Sequence, residues 1–183
     1  NVISMSFGGY AHSQAKYDAI NYAYENNVVL VASAGNDNTS RVHFPSGYNN
    51  VISVAATNSK DLRASFSNYG EWIDVAAPGR DVLSLRAKNT DMYEDGGEHI
   101  IDDKYMVASG TSMAGPHIAG VAALLLSHNS SLTPEMIQTI IPNSIDQISS
   151  DGYYIGGRIN AFEALNKEPA TALLYQSYSW RNA

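Results

Sequence analysis

Cysteine is absent from this chain, so no disulfide holds the fold and thiols give no indication of compartment. Basic residues are scarce: eleven Lys and Arg stand against eighteen Asp and Glu, a formal charge of −7, and the basic residues form no cluster. A phosphate-binding surface needs the opposite balance, so nucleic acid is not expected as a partner. Long apolar runs are missing as well. The longest, around 118–126, is too short to span a bilayer, and no basic-then-apolar leader opens the sequence, so neither a membrane span nor a signal segment is expected. What remains is a chain of 183 residues, 44% of them hydrophobic. That is enough for one substantial core, in one domain or a large piece of one.

The most informative stretch runs from Ser109 to Leu126, Ser-Gly-Thr-Ser-Met-Ala-Gly-Pro-His-Ile-Ala-Gly-Val-Ala-Ala-Leu-Leu-Leu. Small residues lead into an apolar helix, and Ser112 sits at the junction, where unpaired N–H groups and the positive end of the helix dipole favour developing negative charge. Ser112 is therefore a candidate nucleophile, with an N-cap role for Ser112 or Thr111 as the alternative. The helix is apolar on nearly every face from Ile118 to Leu126, which predicts a buried central helix, and Pro116 is expected in its first turn, where no N–H is lost.

Elsewhere the chain reads as strands and helices in alternation. Asn1–Ser6 looks like a strand already under way, so the chain is expected to begin inside a sheet. A helix is expected from about Ser13 to Asn26, with an apolar stripe of Ala15, Ala19, Ile20, Tyr22 and Ala23. Val28–Ala32 and Val51–Ala56 are short, β-branched and apolar, as strands covered on both faces are. Strand, helix and strand at this spacing give an α/β fold with a doubly covered parallel sheet. Thr133-Pro134-Glu135 signals a helix start, Pro142 its end, and Asn160 caps a last short helix through Leu165.

In such sheets chemistry gathers in loops at the carboxyl ends of strands. Phe7-Gly8-Gly9, Ser33-Ala34-Gly35-Asn36-Asp37 and the region after Ala76-Ala77-Pro78-Gly79 are the candidates. Glycine there either admits a ligand backbone or only makes a tight turn. Asn36 could offer its carboxamide N–H to an oxyanion, or form an ordinary Asx turn.

Together these segments resemble the subtilases, the subtilisin-like serine peptidases. The resemblance rests on Gly110-Thr111-Ser112-Met113-Ala114-Gly115-Pro116-His117, Ser33-Ala34-Gly35-Asn36, Ser4-Met5-Ser6-Phe7-Gly8-Gly9, Arg63–Gly70 with Asp74–Gly79, and Gly157-Arg158-Ile159-Asn160-Ala161, in the family's order over residues 1–165. It implies a subtilisin-like parallel β-sheet with helices on both faces, of which only the C-terminal half is present, and a tail or linker over 166–183. It implies Ser112 as nucleophile, Asn36 with the Ser112 backbone N–H as oxyanion donors, and no cofactor required for the chemistry. Phe7, Gly8 and Gly9 would form an edge for an extended polypeptide substrate, Ser33, Ala34 and Gly35 would wall the pocket for the residue before the cut, and Thr111 would support the same corner. Asp37 and His43 would lie at the rim and base of that pocket and favour polar or basic side chains.

The resemblance also implies what is missing. The family's order is Asp, His, Ser, and none of His12, His43, His99, His117 or His128 stands in the His-Gly-Thr setting the family uses. His117 is five residues along a buried helix, pointing away from the hydroxyl, and counts as structural. The expectation is a chain that carries nucleophile and oxyanion donor without a general base and is inactive alone. Its partners would be the N-terminal half of the catalytic domain and a polypeptide substrate, with self-association through an unpaired sheet edge. An α/β-hydrolase elbow is disfavoured, because Gly110-Thr111-Ser112-Met113-Ala114 lacks the second glycine of Gly-x-Ser-x-Gly. A catalytically dead subtilase-like binding module is the alternative. Residues 86–104 form an acidic insertion with Asp91, Glu94, Asp95, Glu98, Asp102 and Asp103, read as a solvated segment before a Ca²⁺ site. The Ser46, Tyr48 and Val51 carbonyls with Asp74 resemble a weak structural Ca²⁺ site, with Trp72 where an acidic ligand can occur. An extracellular or cell-envelope location follows from the resemblance alone.

Overall fold

The structure is a computed structural model describing residues 1–94, 97–149 and 151–167. Asp95 and the tail residues Tyr175, Tyr178 and Trp180 lie outside the described residues. Strands β1 (Val2–Met5), β2 (Val29–Ser33), β3 (Ile52–Thr57), β4 (Val75–Pro78), β7 (Ile145–Asp146) and β8 (Arg158–Ile159) make one sheet in the order β1-β2-β3-β4-β8-β7. All neighbours are parallel except β7 and β8. Between β4 and β7 the chain adds an antiparallel pair, β5 (Val82–Leu85) and β6 (Tyr105–Ala108). The helices are α1 (Gln14–Glu25), α2 (Thr111–His128), α3 (Pro134–Ile140) and α4 (Ala161–Leu165).

Every residue of β2 and β3 is buried, as an apolar run covered on two faces must be. Alternation then sorts the side chains. Val29, Val31, Ile52, Val54, Val75 and Ala77 pack beneath α2, α3 and α4, whereas Leu30 and Ala32 face α1 with Ile20, Tyr48 and Val51. Helices thus lie on both faces, and over Ala55 and Ala76 the second face is closed by a loop cluster of Trp72, Ile73 and Ile155. Ser13, Thr133 and Asn160 cap α1, α3 and α4 by accepting from the N–H three residues on, and Pro134 opens α3.

Three expectations are corrected. The buried stripe of α1 is Tyr17, Ile20, Ala23 and Tyr24; Ala15, Ala19 and Tyr22 face solvent, because the helix turns its aromatic side to Tyr48. Helix α2 is not buried all round: Ala114, Ile118, Val121, Ala122 and Leu125 contact the sheet, while Pro116, His117, Gly120, Ala123 and Leu124 form an exposed face at helical spacing. Pro116 is the sixth helical residue and not in the first turn, so the Ser112 carbonyl loses its i+4 donor. The Ser6 hydroxyl fills that vacancy at 2.8 Å. Strand β1 lies at the sheet edge with Ile3 44% exposed, and among the described residues it pairs only with β2. No helix of the described residues is long and apolar enough to cross a membrane.

Candidate active site

Parallel pairing of β1 and β2 in the register Met5↔Ala32 brings the Ser6–Gly9 and Ala34–Asp37 loops side by side at the strand ends. The start of α2 lies against both. Gly110 precedes the helix with φ +153°, a conformation that favours glycine, and offers no side-chain cap. Thr111 and Ser112 are therefore the first two helical residues, and neither hydroxyl caps the helix.

Thr111 is fully buried and braces the corner. Its N–H and hydroxyl both donate to Asn36 Oδ1, at 2.8 and 2.9 Å, and its Oγ1 accepts the Gly35 N–H at 3.1 Å. Because Oδ1 takes two donors, the Asn36 amide group must turn Nδ2 outward, and that nitrogen has no hydrogen bond among the described residues. A Cβ placed on Gly110 would lie 3.4 Å from Asn36 Nδ2 and 3.6 Å from the Ser112 nitrogen. Both nitrogens thus lie close to Gly110 at the start of α2. Ser112 is half-buried, and among the described residues its hydroxyl makes no hydrogen bond.

The loop bearing Asn36 is held by Asn68, a residue the sequence reading placed only within a motif. Fully buried, Asn68 accepts from the Asp37 and Thr39 N–H groups through Oδ1 and donates through Nδ2 to the Ala34 carbonyl and the Tyr10 hydroxyl. No local pattern marks an asparagine that acts across thirty residues of chain.

Ser33, Ala34 and Gly35 are buried, with the Ala34 and Gly35 N–H groups and carbonyls paired to Val54, Thr111 and Asn68, which stiffens the loop. Gly9 is spent: its N–H and carbonyl both pair with Phe44, at 2.9 and 2.8 Å, leaving Phe7 and Gly8 as the exposed part of the edge. The Asp37 carboxylate accepts the Tyr10 hydroxyl, whose pKa is raised by burial and by that bond, and the Arg41 guanidinium lies 4.6 Å above the Tyr10 ring.

The histidines are dispersed. His12 packs among Tyr17, Phe44 and Tyr48, His99 lies on Tyr93, and His128 is exposed at the end of α2. His117 is exposed, not buried, and its Nδ1 lies 2.9 Å from the Met113 carbonyl, one turn back along α2. His43 is buried, and burial pushes its pKa down against a partly offsetting bond to the Ser33 backbone.

For a cation, the Asp74 carboxylate turns to Ser53, accepting its N–H at 2.7 Å and its hydroxyl at 2.8 Å. The Tyr48 carbonyl accepts the Val51 N–H, and Trp72 is buried. In the insertion, Asp91 and Asp102 accept backbone N–H groups two and three residues on, closing local turns. Among the described residues, no three Asp, Glu or His side chains converge.

The sheet is parallel but for one strand pair, helices cover both of its faces, and the helix that crosses it carries Ser112 in its first turn, so the architecture is α/β. The subtilase family model of peptidases S8 matches residues 1–168, and the chain belongs to that family. It is 41% identical over 165 residues to a thermophilic serine proteinase of Bacillus sp. (strain AK1), covering 90% of this chain and 37% of that one. With thermitase of Thermoactinomyces vulgaris the identity is again 41%, over 90% of this chain and 53% of the relative. A solved protease from Pseudoalteromonas arctica PAMC 21717 superposes with a TM-score of 0.77 at 33% identity, over 93% of this chain and 51% of that structure. The chain thus spans about half the length of these relatives or less.

Proposed function

We propose that this chain carries the nucleophile and the oxyanion donors of a subtilisin-type serine endopeptidase. The observation that carries the reading is that Thr111 holds the Asn36 amide, through both its bonds to Oδ1, against the helix start that bears the unbonded Ser112 hydroxyl, in a chain of the subtilase family. Ser112 Oγ attacks the scissile carbonyl carbon and gives up its proton to a base. The carbonyl oxygen gathers negative charge between Asn36 Nδ2 and the Ser112 N–H, and collapse expels the amine, which takes up the proton from the base, and leaves an acyl group on Ser112. Water then releases the acid. Phe7 and Gly8 take the backbone of the extended polypeptide substrate.

The base and its orienting carboxylate come, in this reading, from an N-terminal half outside these residues. Support lies in the engaged or distant histidines, the open β1 edge and the exposed face of α2, which together offer a surface for further strands and helices. Without that half Ser112 is a poor nucleophile at neutral pH, and the open edge favours self-association. A structural Ca²⁺ near Asp74 and a place outside the cytoplasm belong to the same reading, and neither is needed for the chemistry.

Purified chain 1–183 and the full-length protein are assayed on a peptide ester. The proposal expects turnover by the full-length protein, lost in Ser112→Ala, and negligible turnover by the chain alone. Activity of the chain alone that disappears in Ser112→Ala overturns the missing-base part. Full-length activity that survives Ser112→Ala overturns the whole.

A further inference from the structure

The acidic insertion of residues 86–104 takes no part in the chemistry above, yet its described residues are folded onto the strand that leads to Ser112. Strand β6 pairs with β5 along one side. Along its other side the insertion returns: the Val107 N–H donates to the His99 carbonyl at 2.9 Å, the Ile101 N–H donates to the Tyr105 carbonyl at 3.0 Å, and Ile100 bridges Met106. Arg86 ties the outgoing arm to the returning one. Its N–H donates to the Lys104 carbonyl at 2.6 Å, and its Nε donates to the Thr90 carbonyl at 2.7 Å. Charged and exposed as it is, the insertion has a bonded stem.

That stem brings Tyr93 to the backbone of Ser109, three residues before Ser112. The Tyr93 hydroxyl accepts the Ser109 N–H at 3.1 Å and turns its own proton to the Ser109 carbonyl at 3.4 Å. Its ring lies against that of His99, with centroids 4.4 Å apart, and the Asp91 carboxylate accepts its backbone N–H at 3.2 Å. Tyr93 is thereby braced from the strand it grips. The Ser109 side chain is held too, its hydroxyl accepting the Asp81 N–H at 2.9 Å and donating to the Asp81 carboxylate at 3.2 Å. Next along the chain, the Gly110 N–H donates to the Gly79 carbonyl at 2.7 Å, and Thr111 is locked to Asn36. Each of the three residues before Ser112 is therefore fixed by a different partner.

We propose that Tyr93 is a positioning residue for the nucleophile: through the Ser109 backbone it sets where the first turn of α2, and with it Ser112, stands. This rests on the reading of Ser112 as nucleophile given above. The segment between the two serines has little slack to absorb a shift. Gly110 and Thr111 are buried, the Gly110 carbonyl accepts the Met113 N–H at 3.0 Å, and a Cβ on Gly79 would come within 2.8 Å of that same carbonyl. A displacement of Ser109 is thus passed into the helix start, and rates of attack are sensitive to misplacement on the ångström scale. Tyr93 grips the chain from the side of Gly79 and Asp81, which follow β4, whereas Phe7 and Gly8 follow β1 at the far edge of the sheet. Its effect should therefore fall on the chemical step and not on substrate binding.

The test uses the full-length protein, a peptide anilide and the variant Tyr93→Phe, which removes the gripping oxygen and keeps the ring. The endpoint of fluorophosphonate labelling counts folded sites, and its rate reports the reactivity of Ser112. Per labelled site, Tyr93→Phe should lower kcat about tenfold and slow labelling by a similar factor, with KM within about twofold of wild type. Tyr105→Phe, which removes an exposed hydroxyl from β6 in the same ribbon, should leave kcat, KM and labelling rate unchanged. Wild-type kcat and labelling rate per site in Tyr93→Phe overturn the inference and leave the peptidase reading standing. So does a loss confined to KM, a lower endpoint at normal rate, or an equal loss in Tyr105→Phe. Absence of both labelling and turnover in wild type overturns the peptidase reading itself, and this inference with it.

Discussion

Replacing Asn68 by alanine tests how the corner is held. The substitution removes four side-chain bonds, to the Asp37 and Thr39 N–H groups, the Ala34 carbonyl and the Tyr10 hydroxyl. These are not equal. Asp37, Thr39 and Tyr10 are at least partly exposed, so water replaces much of what they lose, at about 0.5–1 kcal/mol each. Ala34 is fully buried, and its carbonyl is left without the Nδ2 donor, at about 1–3 kcal/mol. The loss should therefore be about 2.5–6 kcal/mol, read as the shift of the urea unfolding midpoint in the full-length protein at unchanged slope. Freed from its anchor, the Asn36 loop should also slow fluorophosphonate labelling of Ser112 by about tenfold or more, because donor placement is sensitive to small displacements. Asn68→Asp keeps acceptors for the two N–H groups but loses the donor to Ala34, so it should show most of the same loss. A change below about 1 kcal/mol in both variants, with normal labelling, would falsify the bracing argument.

Three further outcomes are expected. Asn36→Ala should lower kcat by ~10²–10³ with little change in KM, a magnitude that comes from the same donor in subtilisin and is not worked from this structure; equal loss in KM would mean Asn36 binds substrate in the ground state. Leu124, 52% exposed on the open face of α2, should be covered in the full-length protein, so Leu124→Asp there should cost about 2–3 kcal/mol in urea unfolding, and a loss under about 0.5 kcal/mol would show that nothing packs on that face. The Asp146 carboxyl is held below its ordinary pKa by hydrogen bonds from Asn160 and Arg158. Its stabilisation is present above the unfolded carboxylate pKa and is lost as pH falls through the lower folded value, so between pH 6 and pH 3 the urea midpoint should drop further in wild type than in Asp146→Asn; equal drops refute it.

Much of the scaffold was legible because its signals are local. The runs Val28–Ala32 and Val51–Ala56 announced doubly covered strands, Thr133-Pro134 and Asn160 marked helix starts, and the small residues before Ile118 marked a helix opening at Ser112. Strands β7 and β8 escaped notice, since two residues carry no periodicity. The β5–β6 pair was hidden by exposed Leu83 and Leu85, which make a half-open strand look irregular. The open face of α2 was misjudged for a different reason: apolar residues on a face show that it is to be covered, not which chain segment covers it. Long-range bonds were beyond reach altogether. Nothing near Thr111 indicates Asn36, seventy-five residues away, and nothing near Pro116 indicates that the Ser6 hydroxyl would serve the carbonyl it leaves bare.

The central claim is that Ser112 is the nucleophile of a peptidase site completed from outside these residues. The most direct measurement is mass-spectrometric location of a fluorophosphonate adduct on the full-length protein. A single adduct on the peptide containing Ser112, absent in Ser112→Ala and absent from chain 1–183 alone, is the predicted result. An adduct on another residue, or labelling that persists in Ser112→Ala, would contradict it.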